Sequence, residues 1–131
     1  MCLLSGVVYG VIQMMMGFYP APTPTFFNNL LVILFDYIFA FGVLGLAGAF
    51  YKMLGKKTWS AAAAGFIVTL LRYVCHIISG VLIWGVYKDA TQTVLGYSLA
   101  YNGGYMIPEI IITTVVMALI TPILKKNKVL A

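Results

Sequence analysis

FNNLLVILFDYIFAFGVLGLAGAFY, residues 27–51, contains a single charged side chain, Asp36. About 20 apolar residues in a helix span the roughly 30 Å hydrocarbon core of a bilayer, so this stretch is long enough to cross. Largely apolar runs recur near 2–18, 59–86 and 103–124, which makes four candidate spans. The whole chain of 131 residues is 63% hydrophobic and 8% charged, with a mean hydropathy of +1.02. A soluble domain carries about 25% charged residues, and an apolar excess of this size left in water forms patches that aggregate. The sequence therefore specifies an all-α integral membrane protein of four transmembrane helices, with residues 1–131 forming one transmembrane domain.

The links between spans give an orientation. The first, FYPAPTPTFFNN, has prolines at 20, 22 and 24 and reads as an extended loop. The second, KMLGKKT, is short and basic, whereas the third, YKDATQTVLGYSLAYNGG, is long and polar, with room for a short helix of its own. Lys52, Lys56, Lys57, Lys125, Lys126 and Lys128, six of the eight basic residues, fall on one side of a four-span arrangement. The positive-inside rule makes that side, and the C-terminus, cytoplasmic in a multi-pass protein of the cell membrane. Lys88 and Asp89 cancel on the other side. A net charge of +5 spread in this way forms no phosphate-tracking stripe, so nucleic acid is not expected as a partner.

Cys2 and Cys75 lie in apolar runs without metal-ligand spacing and are read as small buried residues, with no disulfide, metal or cofactor expected. The chain opens on MCLLSGVVYG, without the positive start of a cleavable signal, and this start in mid-helix leads us to expect more chain upstream. Small residues, Gly42, Gly45 and Gly48 in the second span and Ala61 to Gly65 in the third, are expected to serve close helix packing.

Orientation turns sequence position into depth. Asp36 falls about 13 Å below the outer end of its span at about 1.5 Å per residue. His76 and Trp84 in the third span, Glu109 in the fourth and Tyr97 and Asn102 in the outer link all fall in the same outer half. Arg72, His76, Gly80 and Trp84 recur every four residues and share a slowly rotating helix face. Gly80 is expected to open space between imidazole and indole and to admit a ligand to the backbone. Arg72 is expected to neutralise Asp36 or Glu109, and Glu109, after Pro108, to sit where the helix dipole favours an acid. Trp84 alone would read as an interfacial anchor. Asp36 is not explained by such structural roles: an acid at this depth costs about 2.5–3.5 kcal/mol on insertion scales and by default marks a ligand, ion or proton site. With Tyr37, His76, Trp84, Tyr97 and Asn102 around it, the group suits a flat, nitrogen-rich cation. Aromatic faces attract cations, and an Asn amide can meet a heteroaromatic edge with both its oxygen and its nitrogen.

The succession SGVVYG, FDYIFAFGVLGLAG, RYVCHIISGVLIWG and YSLAYNGGYMIPE resembles the thiamine-specific substrate-binding subunits of energy-coupling factor (ECF) transporters, the YuaJ-type thiamine transporter family. The most specific parts are H-x-x-S-G-x-x-x-W and Y-S-L-x-Y-N-G. The resemblance implies a non-enzymatic membrane subunit that captures thiamine with high affinity from outside. It also implies as partners a transmembrane coupling subunit and two cytoplasmic ATP-binding subunits, so that ATP is used only by the partners. It implies a six-helix bundle of which this chain supplies the last four helices. By motif, Asp36, Tyr37, His76, Gly80, Trp84, Tyr97 and Asn102 are the expected thiamine-binding residues, with Tyr9 a weaker candidate. Trp84 would stack on the aminopyrimidine, Asp36 and Asn102 would meet its edge, His76 would lie against the thiazolium, and Tyr37 and the Gly80 backbone would approach the hydroxyl. Asp36 stands where the family commonly has Glu, one methylene longer.

Two other readings remain open at this stage. One is a related subunit for another vitamin such as riboflavin, which the cation-suited Asp36 disfavours. The other is a small proton-coupled exporter of cationic compounds, built around an intramembrane carboxylate. An enzyme is excluded by the lack of a nucleophile–base pair, metal cluster or phosphate loop in the sequence.

Overall fold

The computed structural model describes residues 2–127 and 129; Lys128, one of the basic C-terminal residues, and the side chain of Cys2 lie outside the described residues. Four helical rods make the fold, with no strand among the described residues. They are α1 (Cys2–Met16), α2 (Phe26–Met53), α3 (Ser60–Leu82) and α4 (Val94–Lys126). The last three are each long and apolar enough to cross a membrane, and the apolar part of α1, Leu3–Met16, is shorter. Polarity is arranged inside out: Ile112, Val115 and Leu119 on α4 are exposed while Ser60, Ser79 and Ser98 are fully buried. A bundle whose solvent is lipid has no reason to hide aliphatic side chains, and every reason to pair its polar ones internally.

The fourth helix departs from expectation. It starts at Val94 rather than near 103, and its 33 residues extend about 50 Å. The polar link therefore ends in helix, its start capped by the Thr93 hydroxyl, which accepts from Gly96 N at 3.0 Å. Asn102, Gly103 and Gly104 look like a turn signal but continue the helix, and a Cβ on Gly103 would lie 3.1 Å from the Tyr73 hydroxyl of α3. Glu109 consequently lies mid-helix, not in a first turn, so the dipole account of its charge fails. Its partner is Arg72 of α3, which forms an ion pair with it. The third helix ends at Leu82 rather than near 86, and Trp84–Tyr87 wind as a separate 3₁₀ turn.

Contacts between α1 and α2 rest on backbone proximity. A Cβ on Gly6 would fall 2.5 Å from Phe41 O, and one on Gly10 would fall 2.6 Å from Tyr37 O. Gly6 and Gly10 form a G-x-x-x-G face, the spacing that lets two helices in lipid approach to backbone contact. Backbone atoms cannot step aside as a side-chain tip can. Gly6→Val is therefore expected to lower stability by about 1–3 kcal/mol through overpacking, visible as a reduced thermal midpoint in detergent, whereas Gly17→Ala, with open space around it, leaves the midpoint near that of the parent.

The second rod changes its winding along its length. Phe26–Val32 is α-helical, Ile33–Phe39 is π-helical, and after one α turn Val43–Leu46 is 3₁₀ before the α-helix resumes at Ala47. A π turn holds more residues than an α turn, so consecutive side chains diverge less in direction. Asp36 and Tyr37 sit in this wide stretch. At the far end of the bundle the Lys125 ammonium donates to Lys56 O, which brings the two basic segments together.

Candidate functional site

Opposite the lysine end lies a cavity of about 650 Å³, between the first half of α2, the end of α3 and the start of α4. Of the eight residues expected from sequence, Asp36, Tyr37, His76, Gly80, Trp84, Tyr97 and Asn102 line it. Tyr9 does not: it packs edge-on against Phe41 with ring centroids 5.0 Å apart and accepts from Gln13 Nε2.

Asp36 is the hub of the wall. His76 Nδ1 is 3.0 Å from its Oδ1, while the Ser79 hydroxyl (2.7 Å) and the Trp84 indole N–H (3.0 Å) both donate to its Oδ2. A carboxylate offers about four lone-pair sites. Three are taken, leaving one, on Oδ1, for a ligand donor. Bonding to a carboxylate places the neutral imidazole proton on Nδ1 and makes Nε2 an acceptor. That Nε2 is buried without a hydrogen-bond partner, an expensive state for a polar atom unless a ligand meets it.

Asn102 is committed differently from expectation. Its amide nitrogen donates to His76 O (3.1 Å) and Ser98 O (2.9 Å), and its Oδ1 accepts from the Tyr105 hydroxyl (2.6 Å). Both N–H bonds are consumed by the protein, so the amide turns at most one free lone pair to a ligand rather than both its halves.

Gly80 also has a different reason from the one expected. A Cβ there would lie 2.1 Å from Ser98 Oγ and 2.8 Å from Ser98 Cβ. The missing side chain is space already taken by α4, and it allows α3 and α4 to close around the cavity. The Ser98 hydroxyl donates in turn to Ile77 O at 2.9 Å.

Tyr37 is both wall and latch. Its hydroxyl donates to Gly17 O (3.0 Å) and accepts from Tyr19 N (3.1 Å), and Ala21 N donates to Asn29 Oδ1 (3.0 Å). The proline loop is thus drawn over the cavity, where Tyr19, Pro20, Ala21 and Pro22 add to its lining.

Tyr87, Tyr101 and Tyr105 complete the wall and were not anticipated. Tyr97, Tyr101 and Tyr105 repeat every four residues, the spacing that singled out His76, Gly80 and Trp84; assigning 97–102 to the outer link, apart from the fourth span, hid it. Tyr97 and Tyr101 stack at 5.8 Å, Trp84 and Tyr87 at 6.3 Å. The lining contains one carboxylate and no lysine or arginine. Such a surface favours a flat organic cation over an anion.

Arg72 stands outside this cavity, paired with Glu109 and placed over the Phe41 ring at 4.4 Å. A second cavity of about 350 Å³ is bounded by Glu109 and mainly small or aliphatic residues. Arg72→Met strands Glu109. It should cost about 2 kcal/mol, less than a fully buried pair because Glu109 is 34% exposed. Thermal melts of Arg72→Met and of Arg72→Met/Glu109→Gln check this, the double variant regaining part of the loss.

The profile of the family described as thiamine transporter protein (Thia_YuaJ) matches residues 1–129. The chain belongs to this family. It is similar to the thiamine transporter ThiT of Bacillus subtilis, 35% identical over 127 residues, which covers 90% of this chain and 63% of that protein. It is also similar to ThiT of Lacticaseibacillus paracasei, 33% identical over 94 residues, covering 65% of this chain and 47% of that protein. This member of the thiamine transporter family thus spans less than two thirds of the length of either relative. Family membership and three helices able to cross a bilayer make it a membrane-embedded protein.

Proposed function

We propose that this chain is the high-affinity thiamine-capturing part of an ECF-type vitamin uptake transporter, taking the vitamin from outside the cell. The observation that carries the reading is the Asp36 carboxylate, with one open lone pair, inside an aromatic cavity that has no lysine or arginine in its lining. Thiamine joins an aminopyrimidine to a permanently cationic thiazolium, and needs hydrogen-bond acceptors for the first and aromatic faces for the second. Asp36 Oδ1 accepts from the amine, Trp84 stacks on the pyrimidine, and His76 with its neighbouring tyrosines flanks the thiazolium. Tyr37, Gly80, Tyr97 and Asn102 complete the enclosure. Both similar proteins are named thiamine transporters, which supports the same ligand here.

The cavity and the paired basic segments lie at opposite ends of the bundle. With the lysine end cytoplasmic, the C-terminus is inside and the cavity faces the external medium. The chain performs no chemistry on thiamine, and release inward is assigned to a transmembrane coupling subunit driven by two ATP-binding subunits. Calorimetric titration of the detergent-purified chain with thiamine and, in parallel, riboflavin tests the ligand. Saturable heat with thiamine alone supports the reading; heat with riboflavin alone, or with neither, overturns it.

A further inference from the structure

Ser79 does not line the cavity, yet it touches both groups on which the cavity's cation preference depends. It is fully buried on α3. Its hydroxyl donates to Asp36 Oδ2 at 2.7 Å and accepts from the Trp84 indole N–H at 3.2 Å. The same indole N–H reaches Asp36 Oδ2 at 3.0 Å, so carboxylate, hydroxyl and indole close a three-membered ring of hydrogen bonds. Its backbone takes part as well: Ser79 O accepts from Ile83 N at 2.8 Å, at the point where α3 ends and the chain turns into the Trp84–Tyr87 segment.

A serine in a helix ordinarily bonds back to its own helix four residues earlier. Thr69, Thr114 and Thr121 do so here, to Gly65 O, Ile110 O and Met117 O. Ser79 instead spends its proton on another helix. Without its hydroxyl the carboxylate loses a donor and the indole loses an acceptor, while neither loses its place in the wall. Each group then gains rotational freedom that ligand binding must remove.

We propose that Ser79 is a positioning residue for the cavity, fixing the Asp36 carboxylate and the Trp84 indole in the mutual orientation that a flat cation requires. The proposal rests on the thiamine reading for its ligand, but the ordering of Trp84 is a property of the unliganded chain. Trp59 and Trp84 are the only tryptophans, so ¹⁵N-tryptophan labelling gives two indole N–H resonances, assignable with Trp84→Phe. In the unliganded full chain, Ser79→Ala should shift and broaden the Trp84 resonance while leaving that of Trp59 in place. Thiamine affinity of Ser79→Ala should fall about tenfold or more, as for loss of a hydrogen bond to a charged group. Ser79→Cys, which keeps a weak donor of similar shape, should lie between Ser79→Ala and the parent in both readouts, and serves alone if Ser79→Ala does not fold.

An unmoved Trp84 resonance, or parental affinity in Ser79→Ala, overturns the proposal. If the parent chain binds no thiamine, the thiamine reading fails by itself, and the unliganded resonances still decide whether Ser79 orders the indole: a shifted resonance upholds that ordering and an unmoved one overturns it.

Discussion

Asp36→Asn is expected to lower thiamine affinity by about 100-fold and to leave the bundle folded. The affinity term follows from replacing the only carboxylate of the cavity lining with a neutral amide: charge-assisted hydrogen bonds contribute about 1.5–3 kcal/mol, and the cation also loses its countercharge. Tenfold in affinity is about 1.4 kcal/mol. Folding survives because the amide oxygen still receives Ser79 and Trp84, while the amide nitrogen faces His76 Nδ1, which becomes an acceptor by moving its proton to the unpartnered Nε2. Asp36→Ala behaves otherwise. It removes the carboxylate that three donors share, leaving His76 Nδ1 and the Ser79 hydroxyl without that acceptor and the Trp84 indole with only Ser79 Oγ, and should lower the thermal midpoint as well as abolish detectable binding. Calorimetric titration and thermal melts of the two variants separate charge from architecture; equal affinity of Asp36→Asn and the parent would remove Asp36 from the ligand's surroundings.

Gly80→Ala is expected to have the second largest effect. Its new methyl would overlap Ser98 Oγ and crowd Ser98 Cβ. The Ser98 hydroxyl is not free to move aside, since it donates to Ile77 O and accepts from Asn102 Nδ2. The overlap must part α3 from α4 beside the cavity, at a cost of about 1–3 kcal/mol, with thiamine affinity falling about tenfold or more as the wall opens. The compensating change is specific. Ser98→Gly in the Gly80→Ala background restores much of the loss, less about 1 kcal/mol for a glycine inside a helix, whereas Ser98→Ala does not, because the β-carbon itself is in the way. Rescue by Ser98→Ala, or no loss in Gly80→Ala, would contradict the packing assigned to Gly80.

The same glycine shows how far residue patterns reach. Four-residue spacing on α3 puts His76 and Gly80 on one wall by regular helix geometry, and depth within the spans puts Asp36 and Tyr37 at the same level, whereas Trp84 reaches that wall from the 3₁₀ turn after the helix ends. What a residue does once there depends on the neighbour across the interface. No local pattern told that Ser98 would occupy the space beside Gly80, or that Asn102 would give its amide protons to the backbone of its own bundle. The π-helical stretch at Ile33–Phe39 was equally invisible, since its sequence is an ordinary apolar run. Its winding coincides with the segment where Asp36 is held by α3 and the Trp84 turn, and Tyr37 by the proline loop. Two misses were avoidable in principle. The G-x-x-x-G spacing of Gly6 and Gly10 is legible in SGVVYG, and the four-residue repeat of Tyr97, Tyr101 and Tyr105 is plain once residues 94–126 are taken as one helix. Asn-Gly-Gly concealed the repeat, because it signals a turn in water; here Gly103 gives room for the Tyr73 hydroxyl.

The central claim, that thiamine enters the aromatic cavity and lies against Trp84, is tested most directly by intrinsic fluorescence, because the two indoles are differently placed. Trp84 lines the cavity, whereas Trp59 is 53% exposed beside Lys57, whose ammonium is 6.0 Å from its ring. Thiamine titrated into detergent-purified Trp59→Phe should quench saturably, and Trp84→Phe should show no saturable quenching while keeping its fold. Quenching that survives in Trp84→Phe and vanishes in Trp59→Phe would place the ligand elsewhere and contradict the account.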